Sequence, residues 1–597
     1  MLNSMILVIL LIILPLLYSI ATFFVIKKAF NLSFVIFSSL AFDNFIFTSL
    51  YFLIKHNSIL LLSGFTPLFL VLYCLSILVI HVTFVGGLLG LKNFLNTKKP
   101  IYYYRIRTIL VGGISIGLVM YFYWYMAYMP GITFQQFMFN LIVPTGTANV
   151  SFWVHIFPLA LQIGTVIISW AVTWITQPFL VAINRSNKRL ALRLNRILAN
   201  GAVVIVLVLA LSFPITEIQL YKVFGYFSQE NDFMKVNYVN PNDVSLKFPA
   251  QKQNLVTIFV ESFEATYFDK SMNGAAASNL LPELTEWVKK GDTFSNTEKQ
   301  GGALPLSGAT WSIAGEVAYL SGIPLLLPID GNSYGGSGSF LPGLVNLGDI
   351  LLKEGYSQHM IIGSESDFAG TDTYYKNHGN FSITDINTVK QAGKLPQDYR
   401  EWWGFEDSKL YGFAKEELND IASKPDPFHY VMITTDTHFP DGYLDKSCDS
   451  SSALPYENSI RCADKQLSEF LSWVQEQDFA KETTIVIVGD HISMDRSYFA
   501  TINSSYQRST FNLILNSKAD KTEMVTNDRV FTAVDYFPTI VASLGVQIEG
   551  DRLGLGMNLY SGKQTLAERV GIEILNQNLP VNDNWYTQQF IMEDSNE

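Results

Sequence analysis

At 597 residues the chain is too long for a single hydrophobic core, so at least two domains are expected. Its charge is divided unevenly: the first 216 residues carry 13 Lys and Arg and one acid, Asp43, whereas the remainder carries 28 basic and 51 acidic residues. The acidic part lacks the basic surface that phosphate backbones require, which excludes nucleic acid as the expected partner. The division predicts a basic, apolar membrane anchor followed by a water-exposed domain.

Six apolar stretches precede residue 217, and each is close to the length of about 20 residues that spans a bilayer. They lie at about 4–26, 33–54, 66–90, 108–128, 153–180 and 197–215. Twelve of the 13 basic residues lie in alternate loops, with only Lys55 on the other side. Positively charged loops face the cytoplasm. We therefore predict a transmembrane domain of about six helices over 1–216, with the rest of the chain outside the cytoplasm.

Residues 217–250 are polar and rich in turn-forming residues, which indicates a linker. Beyond it, β-forming runs alternate with helical patterns. The predicted strands are Leu255–Val260, Gln358–Ile362, His429–Thr434, Thr484–Val488 and Phe511–Leu515, and helices are predicted near Leu281–Lys290, Asp464–Gln477 and 535–545. Such alternation is typical of a mostly parallel sheet with helices on both faces. The pattern predicts an α/β domain over 251–560 and a polar C-terminal tail over 561–597.

Two of the predicted strands end in side chains that bind metals. Leu255–Val260 is followed by Glu261, and Thr484–Val488 is followed, after one glycine, by Asp490 and His491. The carboxyl ends of parallel strands lie at one edge of a sheet, so these three side chains can meet there. Carboxylate and imidazole groups are common ligands of divalent metals. The sequence therefore predicts a metal site at this edge.

A hydroxyl-bearing segment lies between these strands in the chain. Thr310 follows a Gly- and Pro-rich loop and precedes an apolar, helix-compatible run. At the start of a helix, free backbone N–H groups and the helix dipole favour a negative charge. Taken alone, Thr310 is as well explained as a helix N-cap. Beside a metal it becomes a candidate nucleophile for attack on phosphorus.

Other polar and aromatic residues after the strands are suited to substrate binding. His438 can donate a proton to a phosphate oxygen or to a leaving alkoxide. A predicted loop over residues 367–379 carries Asp367, Tyr375 and His378, which suit a polar head group, and Trp403 is a candidate wall of the same pocket. The alternative is that these side chains are ordinary surface or core residues.

Cys448 and Cys462 lie close together in a polar, Ser-rich region. If this region is outside the cytoplasm, a disulfide between them is expected. The alternative, two unpaired thiols, would be favoured only in a cytoplasmic domain.

The motifs together resemble the lipoteichoic-acid-synthase-like sulfatase-fold transferases of the alkaline phosphatase superfamily, over residues of about 240–560. The resemblance rests on Glu261-Ser262, Ile313-Ala314-Gly315, Gly322-Ile323-Pro324-Leu325, Phe368-Ala369-Gly370, Trp403-Gly404-Phe405, Asp436-Thr437-His438 and Asp490-His491. It implies a multispan α-helical membrane domain joined to an α/β sulfatase-like domain. It also implies one divalent metal, Mn²⁺ or Mg²⁺ with Zn²⁺ a further candidate, held by Glu261, Thr310, Asp490 and His491, with Thr310 as nucleophile.

The same resemblance implies a two-step transfer of phosphoglycerol. The donor would be phosphatidylglycerol, and the acceptor a periplasmic glucan or another envelope polysaccharide. The enzyme would lie in the bacterial inner membrane with its catalytic domain in the periplasm. The alternatives are phosphoethanolamine transfer to a glycan or lipid A, and an inactive relative that binds lipid or glycan. A sulfatase proper is not expected, because no Cys or Ser has the sequence context that formylglycine formation requires.

Two positions depart from the pattern of the family. Relatives place the nucleophilic Thr at the position of Ala309, which leaves Ser312 and Ser307 as alternatives to Thr310. Asp367 and Thr371 stand where relatives tend to carry basic residues, and this change favours a cationic head group such as ethanolamine.

Overall fold

The computed structural model describes residues 232–326, 338–579 and 584–591. The strands are β1 (Leu246–Lys247), β2 (Asn254–Val260), β3 (Ser357–Ile362), β4 (Ser382–Thr384), β5 (Phe428–Ile433), β6 (Thr483–Gly489), β7 (Asn512–Leu515), β8 (Gln547–Ile548), β9 (Arg552–Leu553) and β10 (Gly556–Met557). Six of them form a central sheet in the order β4-β3-β5-β2-β6-β7. All neighbours in it are parallel except the edge strand β7, which runs antiparallel to β6. The mostly parallel sheet is therefore confirmed.

The helices are α1 (Phe233–Asn237), α2 (Pro282–Val288), α3 (Ser312–Ser321), α4 (Leu347–Lys353), α5 (Thr371–Asn377), α6 (Ile386–Gln391), α7 (Asp407–Ala422), α8 (Pro455–Gln475), α9 (Arg496–Phe499), α10 (Tyr536–Ser543), α11 (Leu566–Val570), α12 (Ile572–Asn578) and α13 (Asn584–Tyr586). Several of them differ from the sequence predictions. The 16-residue α7 was missed, α5 lies in the segment predicted as a loop, and α8 begins at Pro455 rather than near Asp464. Proline in the first turn of α8 suits a helix start, since its missing N–H would have no helical partner there.

The sheet is covered on both faces, which explains why its strands are almost continuously apolar. Alternate residues of β2 pack into different cores: Leu255 and Phe259 into one, and Val256 and Ile258 into the other. Helices α3 and α10 contribute to the first core, and α7 and α8 to the second. The sheet is thus the shared wall of two hydrophobic cores.

The register of the two central strands positions the chemistry. Phe259 is paired with Val488, and Val260 with Gly489, in a parallel ladder. The residues that follow these pairs, Glu261 and Asp490, therefore emerge side by side at the carboxyl edge of the sheet. A shift of one residue in either strand would separate them by the length of one residue, about 3.3 Å.

Both segments predicted to lie outside the α/β domain contribute to it. Within the predicted linker, β1 pairs with β8, and Met234 is buried in the first core. In the predicted tail, Leu575, Tyr586 and Phe590 are buried in the same core. The residues described on either side of 251–560 are therefore integral parts of the folded domain.

Cys448 and Cys462 form a disulfide that joins the loop before α8 to the helix itself. The predicted membrane spans all lie before residue 232 and are outside the described residues. Among the residues that are described, none of the helices has both the length and the hydropathy needed to cross a bilayer.

Candidate functional site

Three buried metal-binding side chains meet at the carboxyl edge of the sheet. Candidate ligand atoms of Glu261, Asp490 and His491 all lie within 4.8 Å of one another. The Nε2 atom of His491 is 3.5 Å from Glu261 Oε1 and 3.5 Å from Asp490 Oδ2. The predicted convergence of these three residues therefore matches the geometry.

Hydrogen bonds from the backbone hold the three side chains in place. The N–H groups of Ser262 and His491 donate to Asp490 Oδ1 at 2.7 and 2.8 Å. The Nδ1 atom of His491 lies 2.8 Å from the carbonyl oxygen of Ile492. This contact assigns the proton to Nδ1 and leaves the Nε2 lone pair facing the carboxylates. Asp490 Oδ2 is buried and accepts no hydrogen bond from the described residues.

Helix α3 adds a hydroxyl to this group. Ser312, its first residue, donates from Oγ to Glu261 Oε2 at 3.0 Å and lies 3.4 Å from His491 Nε2. Thr310 precedes the helix, and its buried hydroxyl makes no hydrogen bond within the described residues. Ser307 donates its hydroxyl to the carbonyl oxygen of Asn576 instead. Of the three hydroxyls considered from the sequence, that of Ser312 is the one hydrogen-bonded to a candidate metal ligand, and Thr310 lines a cavity with Asp490 and His491.

The start of α3 differs from the sequence prediction, which placed Thr310 at the beginning of this helix. The helix begins at Ser312, because Trp311 is still in an extended conformation, with φ −148° and ψ 160°. Thr310 lines one cavity with Asp490 and His491, and its buried hydroxyl has no hydrogen bond within the described residues. Its role as ligand and nucleophile therefore stays a prediction, and Ser312 is the hydroxyl that contacts Glu261.

The four donor atoms fit one divalent cation. Metal–ligand bonds of about 2.1 Å in a tetrahedron separate the ligands by about 3.4 Å. Ser312 Oγ lies 3.0 Å from Glu261 Oε2 and 3.4 Å from His491 Nε2. His491 Nε2 lies 3.5 Å from Glu261 Oε1 and 3.5 Å from Asp490 Oδ2, so these neighbouring donor atoms have separations close to this value. Buried carboxylate oxygens normally accept at least one hydrogen bond. Asp490 Oδ2 is buried and accepts none from the described residues. Three oxygens and one imidazole nitrogen suit Mn²⁺, Mg²⁺ or Zn²⁺.

The charges in this group also favour a cation. Burial raises the pKa of Asp490 to about 7, and the neighbouring charge of Glu261 adds to the shift. Burial acts in the same direction on Glu261, but the neighbouring imidazoles of His438 and His491, together with hydrogen bonds from Ser262 and Ser312, outweigh it and lower the pKa of that carboxyl. Burial opposes the charged form of His491, yet Asp490 and Glu261 raise its pKa overall. The negative charges of two neighbouring buried carboxyl groups are thus unfavourable unless positive charge lies beside them. A divalent ion would supply that charge.

Helix α3 rests directly on Asp490. A Cβ atom at Gly315 would lie 2.2 Å from the carbonyl oxygen of Asp490, far inside van der Waals contact. Glycine at this position therefore sets the distance between the helix that carries Ser312 and the strand end that carries the metal-binding residues.

Gly315→Ala is expected to destabilise the protein by about 1–3 kcal/mol, because the clash is with backbone and must displace the helix. Gly412→Ala is the matched control: Gly412 lies in α7, and a Cβ there would meet no heavy atom within 4 Å. The control should stabilise by about 0.5–1 kcal/mol. Denaturant unfolding of both variants measures the difference; equal effects would contradict the close approach.

His438 and Trp403 form an aromatic wall beside the metal-binding residues. Their rings are 4.7 Å apart, and Trp403 is 5.9 Å from the ring of Phe368. His438 Nδ1 lies 2.6 Å from the carbonyl oxygen of Phe439, which assigns the proton to Nδ1. Burial lowers the pKa of His438, although Glu261 opposes the shift, so the ring is neutral at pH 7 with Nε2 available.

Asp367 lies at the exposed edge of this wall, next to Phe368. Burial raises the pKa of Asp367, and the negative charges of Glu365 and Asp372 contribute further. Three acids thus lie together along this edge.

The prediction that Tyr375 and His378 bind a head group is wrong. Tyr375 is fully buried and donates its hydroxyl to Glu316 at 2.8 Å. Both ring nitrogens of His378 are engaged, one with Asp349 at 3.0 Å and one with the carbonyl oxygen of Phe340 at 2.7 Å. Because this segment forms α5 rather than a loop, the two side chains face the core.

Two residues near the site were missed from the sequence. Glu316 lies one turn after Ser312, and burial raises its pKa to about 8, with smaller contributions from Asp490 and Glu261. A single acid within the apolar run after Ile313 was the available signal. The second, Asn576, binds the loop before α3, and nothing in its local sequence marks it.

Comparisons with known proteins agree with this geometry. The sulfatase family model matches residues 253–546. Phosphoglycerol transferase I of Salmonella choleraesuis (strain SC-B67) is 32% identical over 327 residues, and a match of the same extent is found with that of Salmonella typhi. These matches cover 54% of this chain but only 40% of each relative, so the chain spans less than half of the curated proteins it resembles.

Two solved structures are similar to parts of this chain at low identity. Lipoteichoic acid synthase LtaP from Listeria monocytogenes is 17% identical with a TM-score of 0.40, covering 53% of this chain and 79% of its own. Lipooligosaccharide phosphoethanolamine transferase A from Neisseria meningitidis is 13% identical with a TM-score of 0.42, covering 82% of this chain and 92% of its own. The residues that match the sulfatase family model thus include the central α/β sheet and the strand-end residues Glu261, Asp490 and His491, and this part of the chain is similar to that family.

Proposed function

We propose that this protein transfers phosphoglycerol from phosphatidylglycerol to an extracytoplasmic glycan through a covalent intermediate on Ser312. It would be a multispan protein of the bacterial inner membrane with its sulfatase-family domain in the periplasm. The observation that carries the proposal is the contact of the Ser312 hydroxyl with Glu261 and His491 at the start of α3. The similarity to phosphoglycerol transferase I supports the choice of head group.

In the first step, Ser312 Oγ attacks the phosphorus of the phosphodiester. A bond forms between Oγ and phosphorus, and the bond between phosphorus and the diacylglycerol oxygen breaks. The proton lost by Ser312 ends on the departing diacylglycerol. The position of Ser312 as the first residue of α3 places the attacked phosphoryl group near free helix N–H groups, which favour its negative charge.

In the second step, a glycan hydroxyl attacks the same phosphorus and Ser312 leaves. The proton of the glycan hydroxyl returns to Ser312, so the enzyme is regenerated. His438 is suited to carry the proton in both steps, because its neutral ring leaves Nε2 as an acceptor on the side of Glu261 and His491.

Glu261, Asp490, His491 and Ser312 would hold the cation, for which Mn²⁺ is the first choice. When bound, such an ion lowers the pKa of a hydroxyl ligand and stabilises negative charge on phosphoryl oxygens. The fixed side chains keep that hydroxyl and the phosphorus in line, which is the larger part of catalysis in phosphoryl transfer.

The donor can be identified by intact mass of the full chain in detergent, incubated with Mn²⁺ and one phospholipid at a time. Phosphatidylglycerol should add one phosphoglycerol, about 154 Da by its formula, whereas transfer from phosphatidylethanolamine would add about 123 Da. The first adduct, formed with phosphatidylglycerol alone, is the expected result.

The acidic edge at Asp367 makes phosphoethanolamine the second candidate, since carboxylates attract an ammonium group. An adduct formed only from phosphatidylethanolamine would replace the proposed donor. The absence of any adduct while Mn²⁺ is bound would favour an inactive binding protein.

A further inference from the structure

The C-terminal segment contacts the chain on both sides of the catalytic helix. It comprises α12 and the residues from α13 to Ile591, and it reaches the loop before α3 and the turn after it. We infer that this segment positions the nucleophile, with Asn576 as its main positioning residue. The inference rests on the proposed function only in that it takes Ser312 as the nucleophile.

On the N-terminal side of α3, Asn576 binds the loop through three hydrogen bonds. Its Oδ1 accepts the N–H of Ser307 at 2.6 Å, and its Nδ2 donates to the carbonyl oxygen of Pro305 at 3.1 Å. The Ser307 hydroxyl donates to the Asn576 carbonyl oxygen at 3.1 Å. One carboxamide thus pairs with an N–H donor and a carbonyl acceptor of this loop, which is neither strand nor helix at Pro305 and Ser307. Ser307 lies five residues before Ser312.

On the C-terminal side of α3, Tyr586 has the corresponding role. Its hydroxyl accepts the N–H of Leu326 at 3.2 Å and donates to the carbonyl oxygen of Pro324 at 3.0 Å. The two sides are also joined to each other, because the N–H of Leu325 donates to the carbonyl oxygen of Gly308 at 2.8 Å. The catalytic helix is therefore the middle of a closed loop, and the C-terminal segment binds both of its ends.

The metal-binding residues are held by different elements. Glu261, Asp490 and His491 follow β2 and β6, and their backbone hydrogen bonds come from those strand ends. Loss of the Asn576 contacts should therefore shift Ser312 while the three strand-end candidate ligands, Glu261, Asp490 and His491, stay in place. This separation distinguishes a positioning role from a general loss of stability.

The test compares Asn576→Ala and Asn576→Asp in the full chain, with Gln577→Ala as the control. Gln577 is an exposed amide on the same helix with no hydrogen bond among the described residues. Asn576→Asp retains an acceptor for Ser307 but loses the donor to Pro305. Three quantities are measured: hydrogen–deuterium exchange of residues 303–311, Mn²⁺ affinity, and the rate of phosphoglycerol adduct formation.

For Asn576→Ala, exchange of residues 303–311 should rise about tenfold, while Mn²⁺ affinity should fall by less than about tenfold, because Glu261, Asp490 and His491 stay in place to bind the ion. The adduct rate constant should fall about 10- to 100-fold at unchanged KM, since a displacement of about 1 Å can reduce a rate by that much. Asn576→Asp should fall between Asn576→Ala and wild type, and Gln577→Ala should match wild type.

Unchanged exchange in Asn576→Ala, or a loss of Mn²⁺ affinity of more than about 100-fold, as expected when a strand-end ligand is removed, would overturn the inference. Exchange and Mn²⁺ binding do not depend on the reaction. If wild type forms no adduct, the proposed function fails, while the exchange and affinity measurements still decide whether Asn576 holds the loop independently of the metal-binding residues.

Discussion

Ser312→Ala should reduce phosphoglycerol transfer by about 10⁴-fold or more, because loss of a nucleophile removes the covalent pathway altogether. Ser312 Oγ is within 3.0 Å of Glu261 and 3.4 Å of His491, so the alanine variant loses the reacting atom with little change in packing. The measurement is the steady-state release of diacylglycerol from phosphatidylglycerol by full-length protein.

Thr310→Ala is the matched control for this variant. The Thr310 hydroxyl has no hydrogen-bond partner within the described residues, and its removal leaves the helix start intact. Its activity should remain within about threefold of wild type, as no transition-state contact is lost. Activity retained in Ser312→Ala but lost in Thr310→Ala would contradict the assignment.

Asp490→Asn should abolish metal binding while preserving the local fold. The amide oxygen of Asn can accept the N–H groups of Ser262 and His491, as Asp490 Oδ1 does. The amide nitrogen then occupies the position of Oδ2, the buried oxygen without a hydrogen-bond partner, and an N–H₂ group cannot ligate a cation.

Mn²⁺ affinity should fall by more than about 100-fold, because even residues that only support metal ligands contribute 10- to 100-fold. Transfer should fall with it, and chelation of wild type should give the same loss, reversible on adding Mn²⁺. Isothermal titration measures the affinity, and thermal unfolding without metal checks the fold. Retained affinity in Asp490→Asn would remove Asp490 from the metal site.

The metal-binding residues could be predicted because two local signals are sufficient for them. β2 and β6 are uninterrupted apolar runs, and each is followed at once by polar side chains. Parallel pairing of two such strands brings their ends together without further information. Glu261, Asp490 and His491 were found in this way.

The nucleophile could not be predicted to the residue, because the start of α3 is a tertiary property. Thr310 is a better N-cap than Trp311 by intrinsic preference, and the Trp311 side chain makes no capping hydrogen bond. The register of the helix follows instead from Gly315, which lies against the backbone of Asp490, a residue 175 positions away. Packing has overridden the local preference at this terminus.

The burial of α5 and of the C-terminal segment could not be predicted from the sequence either, because it also depends on contacts between residues that are far apart in the chain. Tyr375 and His378 carry polar atoms that suit a binding loop, and only their partners Glu316 and Asp349 show that they belong to the core. Asn576 meets Ser307 across 269 residues of sequence, a pairing for which the local sequence holds no signal.

The most direct test of this account is to locate the covalent adduct. Full-length protein, trapped with phosphatidylglycerol and Mn²⁺ and then digested, would be sequenced by tandem mass spectrometry over residues 303–321. The account predicts phosphoglycerol on Ser312. Phosphoglycerol on Thr310 or Ser307 would contradict it, since neither hydroxyl makes a hydrogen bond to Glu261 or His491.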